Sequence, residues 1–286
     1  MKIHIGKIYS FCRRGMRPNQ EDARYPDTDR PPSTQRFFVV CDGVGGTDLG
    51  EVASDTVCQA FARALRDTDF SADFTNDDFS HALDEAFDAL DQEKHVLDSD
   101  DFATTLAFAA FHGGGCTLAH IGDSRLYQFR RNLGVIYRSD DHSLVNQLVH
   151  EGLITADEAI NHPQNHVITR SMEPVEFDEN RSQATVMRTT DIQAGDCFLV
   201  CTDGVYNCVD EEELASLFSL SSNIEESFSK LSMLCDLSSD NNTAFLITIE
   251  KVENTNEDHN TSAITTNIST SLTEIESESH RQQFSR

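Results

Sequence analysis

Tryptophan is absent from this chain, proline occurs six times, and basic residues are scarce: 22 Lys and Arg stand against 49 Asp and Glu in 286 residues. The missing tryptophan decides nothing. The shortage of basic charge decides more, because a formal charge of −27 repels phosphate backbones and anionic lipid. Nucleic-acid and membrane binding are therefore disfavoured, while metal cations and basic protein segments are suited. No apolar run approaches the ~20 residues of a membrane span. The opening Met1-Lys2-Ile3-His4-Ile5-Gly6-Lys7 lacks the sustained apolar stretch and small-residue cleavage site of a secretory signal. Cysteine is present but scattered, at 12, 41, 58, 116, 197, 201, 208 and 235. Several of these sit in apolar runs, where a thiol packs as a small hydrophobe. The expected setting is a reducing cytoplasm.

Hydrophobic residues make up 38% of the chain, enough for a sizeable core. Strand signals fall at 37–42, 104–111, 116–121, 125–129, 134–138, 196–202 and 243–249. The three between 116 and 138 are joined by short turns and read as an antiparallel meander. Helical patterns cover 50–66, 77–95, 142–151, 155–160, 211–219 and 223–235. Thr155 with Glu158 three residues on resembles a capping box. Long helices between runs of antiparallel-looking strands indicate an α+β fold with helices covering sheets. Residues 140–180 read as a polar, His-rich insertion at the surface. One domain is expected over 1–250. Residues 251–286 are rich in Ser, Thr, Asn and Glu, and such a tail cannot bury enough apolar surface to order itself.

Five aspartates stand in short motifs: Arg17-Pro-Asn-Gln-Glu-Asp22, Val-Cys-Asp42-Gly43-Val-Gly-Gly, Gly-Asp123-Ser-Arg, Thr-Asp203-Gly and Asp240-Asn-Asn-Thr. Three follow apolar strand-like runs and one precedes such a run. Taken singly, each is explained as a turn, since Asp-Gly favours turns after strands. Several carboxylates gathered at strand ends would repel one another unless a cation neutralised them, so together they predict metal.

With Gly-Glu-x-Ala-Ser, Thr-Thr-Leu and Asp-His-Ser-Leu in the same order, these motifs resemble the bacterial branch of the metal-dependent PPM-type (type 2C) serine/threonine protein phosphatases, over roughly residues 6–250. The resemblance implies a four-layer α-β-β-α sandwich of two antiparallel sheets flanked by helices. It implies a site at one edge of that sandwich. Asp42 would bridge two divalent ions and Gly43 would offer its backbone carbonyl. Asp203 and Asp240 would hold the second ion. Asp22, and more weakly Glu21, would act through metal-bound water. Asp123 with Asp203 matches a third site seen in bacterial relatives, and Arg17 resembles the phosphate-binding arginine. All these ligands are hard oxygens, which suits Mg²⁺ or Mn²⁺. A water bridging two ions would ionise near neutral pH and attack phosphorus directly, with no phospho-enzyme. The implied partners are phosphorylated proteins, a Ser/Thr kinase or its targets, with the chain acting as a monomer in signalling. A pseudophosphatase, the same fold used as a binding or scaffold module, is the alternative.

Some relatives carry His two residues after the bridging Asp, as a proposed general acid; Val44 stands there in this chain. The proton donor to the leaving alkoxide is thus unassigned. His142, beside Asp141, reads as a structural residue making a local hydrogen bond. His162 and His166 have zinc-like spacing but no Cys pair or third ligand nearby.

Overall fold

An apolar run with no alternation makes a strand covered on both faces, and that is what this fold provides. The computed structural model describes residues 1–44 and 49–254. Its strands are β1 (Lys2–Arg13), β2 (Asp22–Tyr25), β3 (Phe37–Asp42), β4 (Leu106–His112), β5 (Gly115–Ile121), β6 (Arg125–Arg130), β7 (Gly134–Arg138), β8 (Thr185–Thr189), β9 (Cys197–Cys201) and β10 (Asn242–Glu253). Its helices are α1 (Gly50–Ala64), α2 (Asn76–Leu97), α3 (Leu144–His150), α4 (Ala156–Ile160), α5 (Asp203–Tyr206), α6 (Glu211–Ser219) and α7 (Ile224–Leu234).

The strands form two five-stranded sheets, in the orders β1-β10-β9-β6-β7 and β2-β3-β4-β5-β8. Side chains alternate between faces along each strand. In β3, Phe37, Val39 and Cys41 pack with Phe61 of α1 and Phe87 and Leu90 of α2. Phe38 and Val40 face the other sheet and meet Phe198, Val200 and Phe245. In β9, Cys197, Leu199 and Cys201 turn away from that interface and pack with Leu214 and Phe218 of α6 and Leu231 of α7. These three cores are the spaces between four layers, so the α-β-β-α sandwich of antiparallel sheets stands as expected. Helix α2 shows why the outer layers form. Phe79, Ala82, Ala86, Phe87 and Leu90 make one buried stripe at helical spacing, and Thr75 with Asp78 closes a capping box at its start. The capping box expected at Thr155 and Glu158 is present as well.

One expected connection is different. β5 pairs with β4 and β8, while β6 pairs with β7 and β9 in the other sheet. The turn at Gly122–Ser124 therefore crosses between sheets and does not close a hairpin of a meander. A local Gly-Asp turn has the same signature in both cases, and the long-range pairing decides. Three strands, β1, β2 and β8, had no counterpart among the expected elements. Of the tail expected over 251–286, residues 251–253 belong to β10, and residues 255–286 lie outside the described residues.

Candidate metal centre

Each sheet sends two aspartates to the same end of the sandwich, and the crossing between the sheets sends a fifth. From the second sheet come Asp22, which opens β2, and Asp42, which ends β3; the antiparallel register sets them directly opposite each other. From the first sheet come Asp203, the first residue of α5 just beyond β9, and Asp240, two residues before β10. Asp123 lies on the crossing from β5 to β6. Asp42, Gly43, Asp123, Asp203, Asp240, Glu21 and Arg17 all line one cavity of about 210 Å³. Asp22 is not in that wall; it is buried, 5% exposed, and its Oδ2 accepts from Thr202 Oγ1 at 3.0 Å. Gly43 is needed for close packing, since a Cβ there would collide with the carbonyl oxygens of Gly50 and Glu21.

The electrostatics show what the site is short of. Burial, reinforced by Asp22, Asp203 and Asp123, pushes the Asp42 carboxyl well above the ordinary range. Burial also raises Asp22 to about 8 and Asp123 to about 7, with Asp203 adding to both. Asp203 is raised chiefly by burial and then by Asp240, and it lies within hydrogen-bonding reach of Asp42. Without a cation such carboxyls hold protons; with one they are ligands. Asp22 Oδ1 and Asp203 Oδ1 are buried without a well-formed hydrogen bond, with Thr243 near the first carboxyl and Asp42 near the second. Unsatisfied buried oxygens are costly, and a hard divalent ion or its water shell is the group that fits them. Among the described residues no three His, Cys, Asp or Glu side chains close on a single point. The carboxylates surround a space, which suits ions held partly through water. Arg17 occupies part of this space: its Nη2 donates to Asp240 Oδ2 at 2.6 Å.

Residues 12–238 match the family description Protein phosphatase 2C. The chain belongs to the protein phosphatase 2C family. It is 33% identical over 207 residues to the serine/threonine protein phosphatase PstP of Mycobacterium tuberculosis, covering 70% of this chain and 36% of that one. It is 31% identical over 188 residues to the protein phosphatase PhpP of Streptococcus pneumoniae, covering 63% of this chain and 72% of PhpP. The crystal structure of M. tuberculosis PstP superposes with TM-score 0.71 at 30% identity, over 86% of this chain and 99% of that one. A second structure, the PstP catalytic domain in complex with two manganese ions, gives 0.67 at 28% identity over 87% and 100%. Membership of this family bears out the enzyme class expected from the motifs.

Around the carboxylates, the protein phosphatase 2C site is braced by residues that sequence motifs mark only in part. Thr105 Oγ1 accepts from the Asp42 N–H at 3.0 Å and pairs with Ser124 Oγ at 2.7 Å, tying β3 to the crossing. Thr104 Oγ1 donates to the Asp42 carbonyl at 2.9 Å. Asn241 donates from Nδ2 to the carbonyls of Arg14 and Asn19, at 2.7 and 2.9 Å, and its Oδ1 accepts from the Glu21 N–H at 2.8 Å. It thereby fixes the loop carrying Arg17 against the start of β10. Tyr206, which no motif singled out, donates to the Asp123 carbonyl at 3.1 Å. His166 lines the cavity, while His162 accepts from the Gln164 N–H within its own turn. A larger cavity of about 580 Å³ adjoins the first and shares Asp123, His166 and Asp203 with it.

Proposed function

We propose that this chain hydrolyses phosphoserine and phosphothreonine in proteins, using two divalent ions, Mg²⁺ or Mn²⁺, with a third held more weakly. The observation that carries the reading is four aspartates, Asp42, Asp123, Asp203 and Asp240, lining one cavity at the end of the sandwich, with Asp22 buried opposite Asp42 and unpartnered buried oxygens on Asp22 and Asp203. Asp42 would be shared by the first two ions, Gly43 would give its backbone carbonyl to one of them, and Asp203 and Asp240 would hold the other. Asp22, with Glu21 as a weaker aid, would hold water at the pair. Asp123 with Asp203 would hold the third. Bound there, the ions supply Lewis-acid charge and bring the pKa of a shared water toward neutrality. The chain's own residues do the positioning. Arg17 offers a guanidinium fork to the phosphoryl oxygens and neutralises their charge. Direct attack by water would need no covalent intermediate on the protein, and no cysteine nucleophile lines the cavity among the described residues. The adjoining cavity gives room for polypeptide beside the phosphorylated residue.

All eight cysteines are free thiols, and no described helix is long and apolar enough to cross a membrane. Free thiols suit a reducing cytoplasm, and we place the chain there as a monomer that reverses a Ser/Thr kinase. The unsatisfied carboxylate oxygens disfavour an inert scaffold, which would gain nothing from their cost. The test is phosphate release from a phosphothreonine peptide with Mn²⁺, with Mg²⁺ and with EDTA. Turnover should need metal and vanish in Asp42→Ala. Well-folded protein without metal-dependent turnover would refute the reading.

A further inference from the structure

Asp123 reaches the site from a short crossing, not from a strand held on both sides. The crossing is held instead by a segment that follows β7. The His142 N–H donates to the Gly122 carbonyl at 2.9 Å, and the Gly122 N–H donates back to His142 Nδ1 at 3.1 Å. Two hydrogen bonds thus fix Gly122, the residue before Asp123, to a single histidine. The ring itself is held from two directions. Its Nε2 lies 2.8 Å from Thr185 Oγ1 on β8, and its face stacks on His120 with centroids 4.4 Å apart and planes 17° apart. His120 is in turn fixed by a 2.7 Å hydrogen bond from Nε2 to the Asp140 carbonyl. With Nδ1 accepting from Gly122, Nε2 is the nitrogen left to face Thr185 Oγ1, and Arg170 Nη1 stands 3.4 Å from that same Nε2. Burial, then His120 and Arg170, lower the His142 pKa to about 3, so the ring stays neutral and Nδ1 remains able to accept. Gly122 takes a φ of +92°, which suits glycine, and a Cβ there would collide with the Thr105 side chain, so no larger residue fits at this position.

We propose that His142 is a positioning residue for Asp123: by gripping Gly122 through both backbone groups, it holds the Asp123 carboxylate where the weaker divalent ion binds beside Asp203. This rests on the metal assignments proposed above. Residues that orient a ligand from behind typically change metal affinity by about 10–100-fold when lost. His142 touches neither ion nor substrate, so its effect should fall on one metal site only.

The full-length protein, stripped with EDTA, is titrated with Mn²⁺ by calorimetry and by the electron paramagnetic resonance of free Mn²⁺. In the natural sequence a tight phase and a weaker phase are expected, with Asp123→Asn removing the weaker one. His142→Ala should weaken that phase by about tenfold or more and leave the tight phase within about twofold. His142→Asn, whose Oδ1 replaces the Nδ1 acceptor, should restore it to within about threefold, a rescue that bulk or stability alone would not give. If His142→Ala does not fold, Thr185→Val, which removes one of the groups that hold the ring at Nε2, should weaken the same phase more modestly. An unchanged weak phase in folded His142→Ala or in Thr185→Val overturns the proposal. So does His142→Asn binding as poorly as His142→Ala, or a natural-sequence isotherm with no phase that Asp123→Asn removes. Phosphopeptide turnover by the unaltered protein is measured on the same preparation. Its absence would refute the phosphatase reading and leave the isotherms to decide the role of His142.

Discussion

Replacing Arg17 by alanine should push metal binding and substrate binding in opposite directions. Arg17 Nη2 sits 2.6 Å from Asp240 Oδ2, with the two side chains 43% and 31% exposed. A divalent ion that takes Asp240 as a ligand must displace this guanidinium or bind beside it. The guanidinium is therefore both a competitor for one oxygen and a like charge near the ion. At this exposure the pair contributes at most about 1 kcal/mol, since water screens it. Its removal should tighten Mn²⁺ binding by up to about fivefold, because about 1.4 kcal/mol corresponds to tenfold. The phosphoryl group loses a charge-assisted hydrogen bond worth about 1.5–3 kcal/mol, so KM should rise by about one to two powers of ten.

Calorimetry of Mn²⁺ binding to the stripped protein reads the first effect, and steady-state kinetics on a phosphothreonine peptide at saturating Mn²⁺ read the second. Arg17→Lys separates charge from shape: an ammonium keeps the competition but loses the planar fork, so metal affinity should stay near that of the unaltered protein while KM still rises. Mn²⁺ binding that weakens several-fold in Arg17→Ala would show that the arginine builds the metal site instead of competing for it. An unchanged KM would remove its phosphate role.

Two further outcomes follow from the same carboxylates and their supports. Asp22 and Asp123 have folded pKa values near 8 and 7, above the ordinary 3.8, so their contribution to stability is fully present below pH 4 and is lost as pH rises through those values. In EDTA the Tm should therefore fall between pH 5 and pH 8, and excess Mn²⁺ should flatten or reverse that fall; a metal-free Tm that climbs with pH would contradict the sign. Asn241→Ala removes three hydrogen bonds that fix the Arg17 loop, each worth about 1 kcal/mol, so urea unfolding should show a loss of roughly 2–3 kcal/mol along with a raised KM. A loss below about half a kcal/mol would mean that water replaces these bonds.

The legible part of the fold was the part buried on both sides. Phe37–Asp42 and Cys197–Cys201 are continuous apolar runs because helices cover one face and the opposite sheet covers the other. β8, Thr185–Thr189, gave no signal because it is an edge strand with mostly exposed or half-buried side chains. β2 has only four residues, too few for a period to show. β1 buries Ile3, Ile5, Ile8 and Phe11, but their spacing slips from two to three after Ile5 and Phe11 faces a different core, so no steady alternation shows. At the site the carboxylates were legible as motifs. Their partners were not, because Arg17 with Asp240 and Glu21 with Asn241 are contacts between residues more than 200 positions apart.

The misread crossing at Gly122–Ser124 explains how the site is assembled. Had it closed a hairpin, Asp123 would have stood on one sheet with Asp22 and Asp42, and Asp203 and Asp240 would have faced them from the other. Because the chain passes from β5 in one sheet to β6 in the other at this point, Asp123 stands on the connection between the two pairs. Its raised pKa carries that position: after burial, Asp203 of the other sheet is the largest contributor, and Asp123 in turn raises Asp42. A carboxylate that senses both pairs fits the proposal that Asp123 shares an ion with Asp203. Its own backbone has no sheet partners to hold it there, and so the bracing by His142, Thr105 and Tyr206 does what strand pairing does for Asp22 and Asp42.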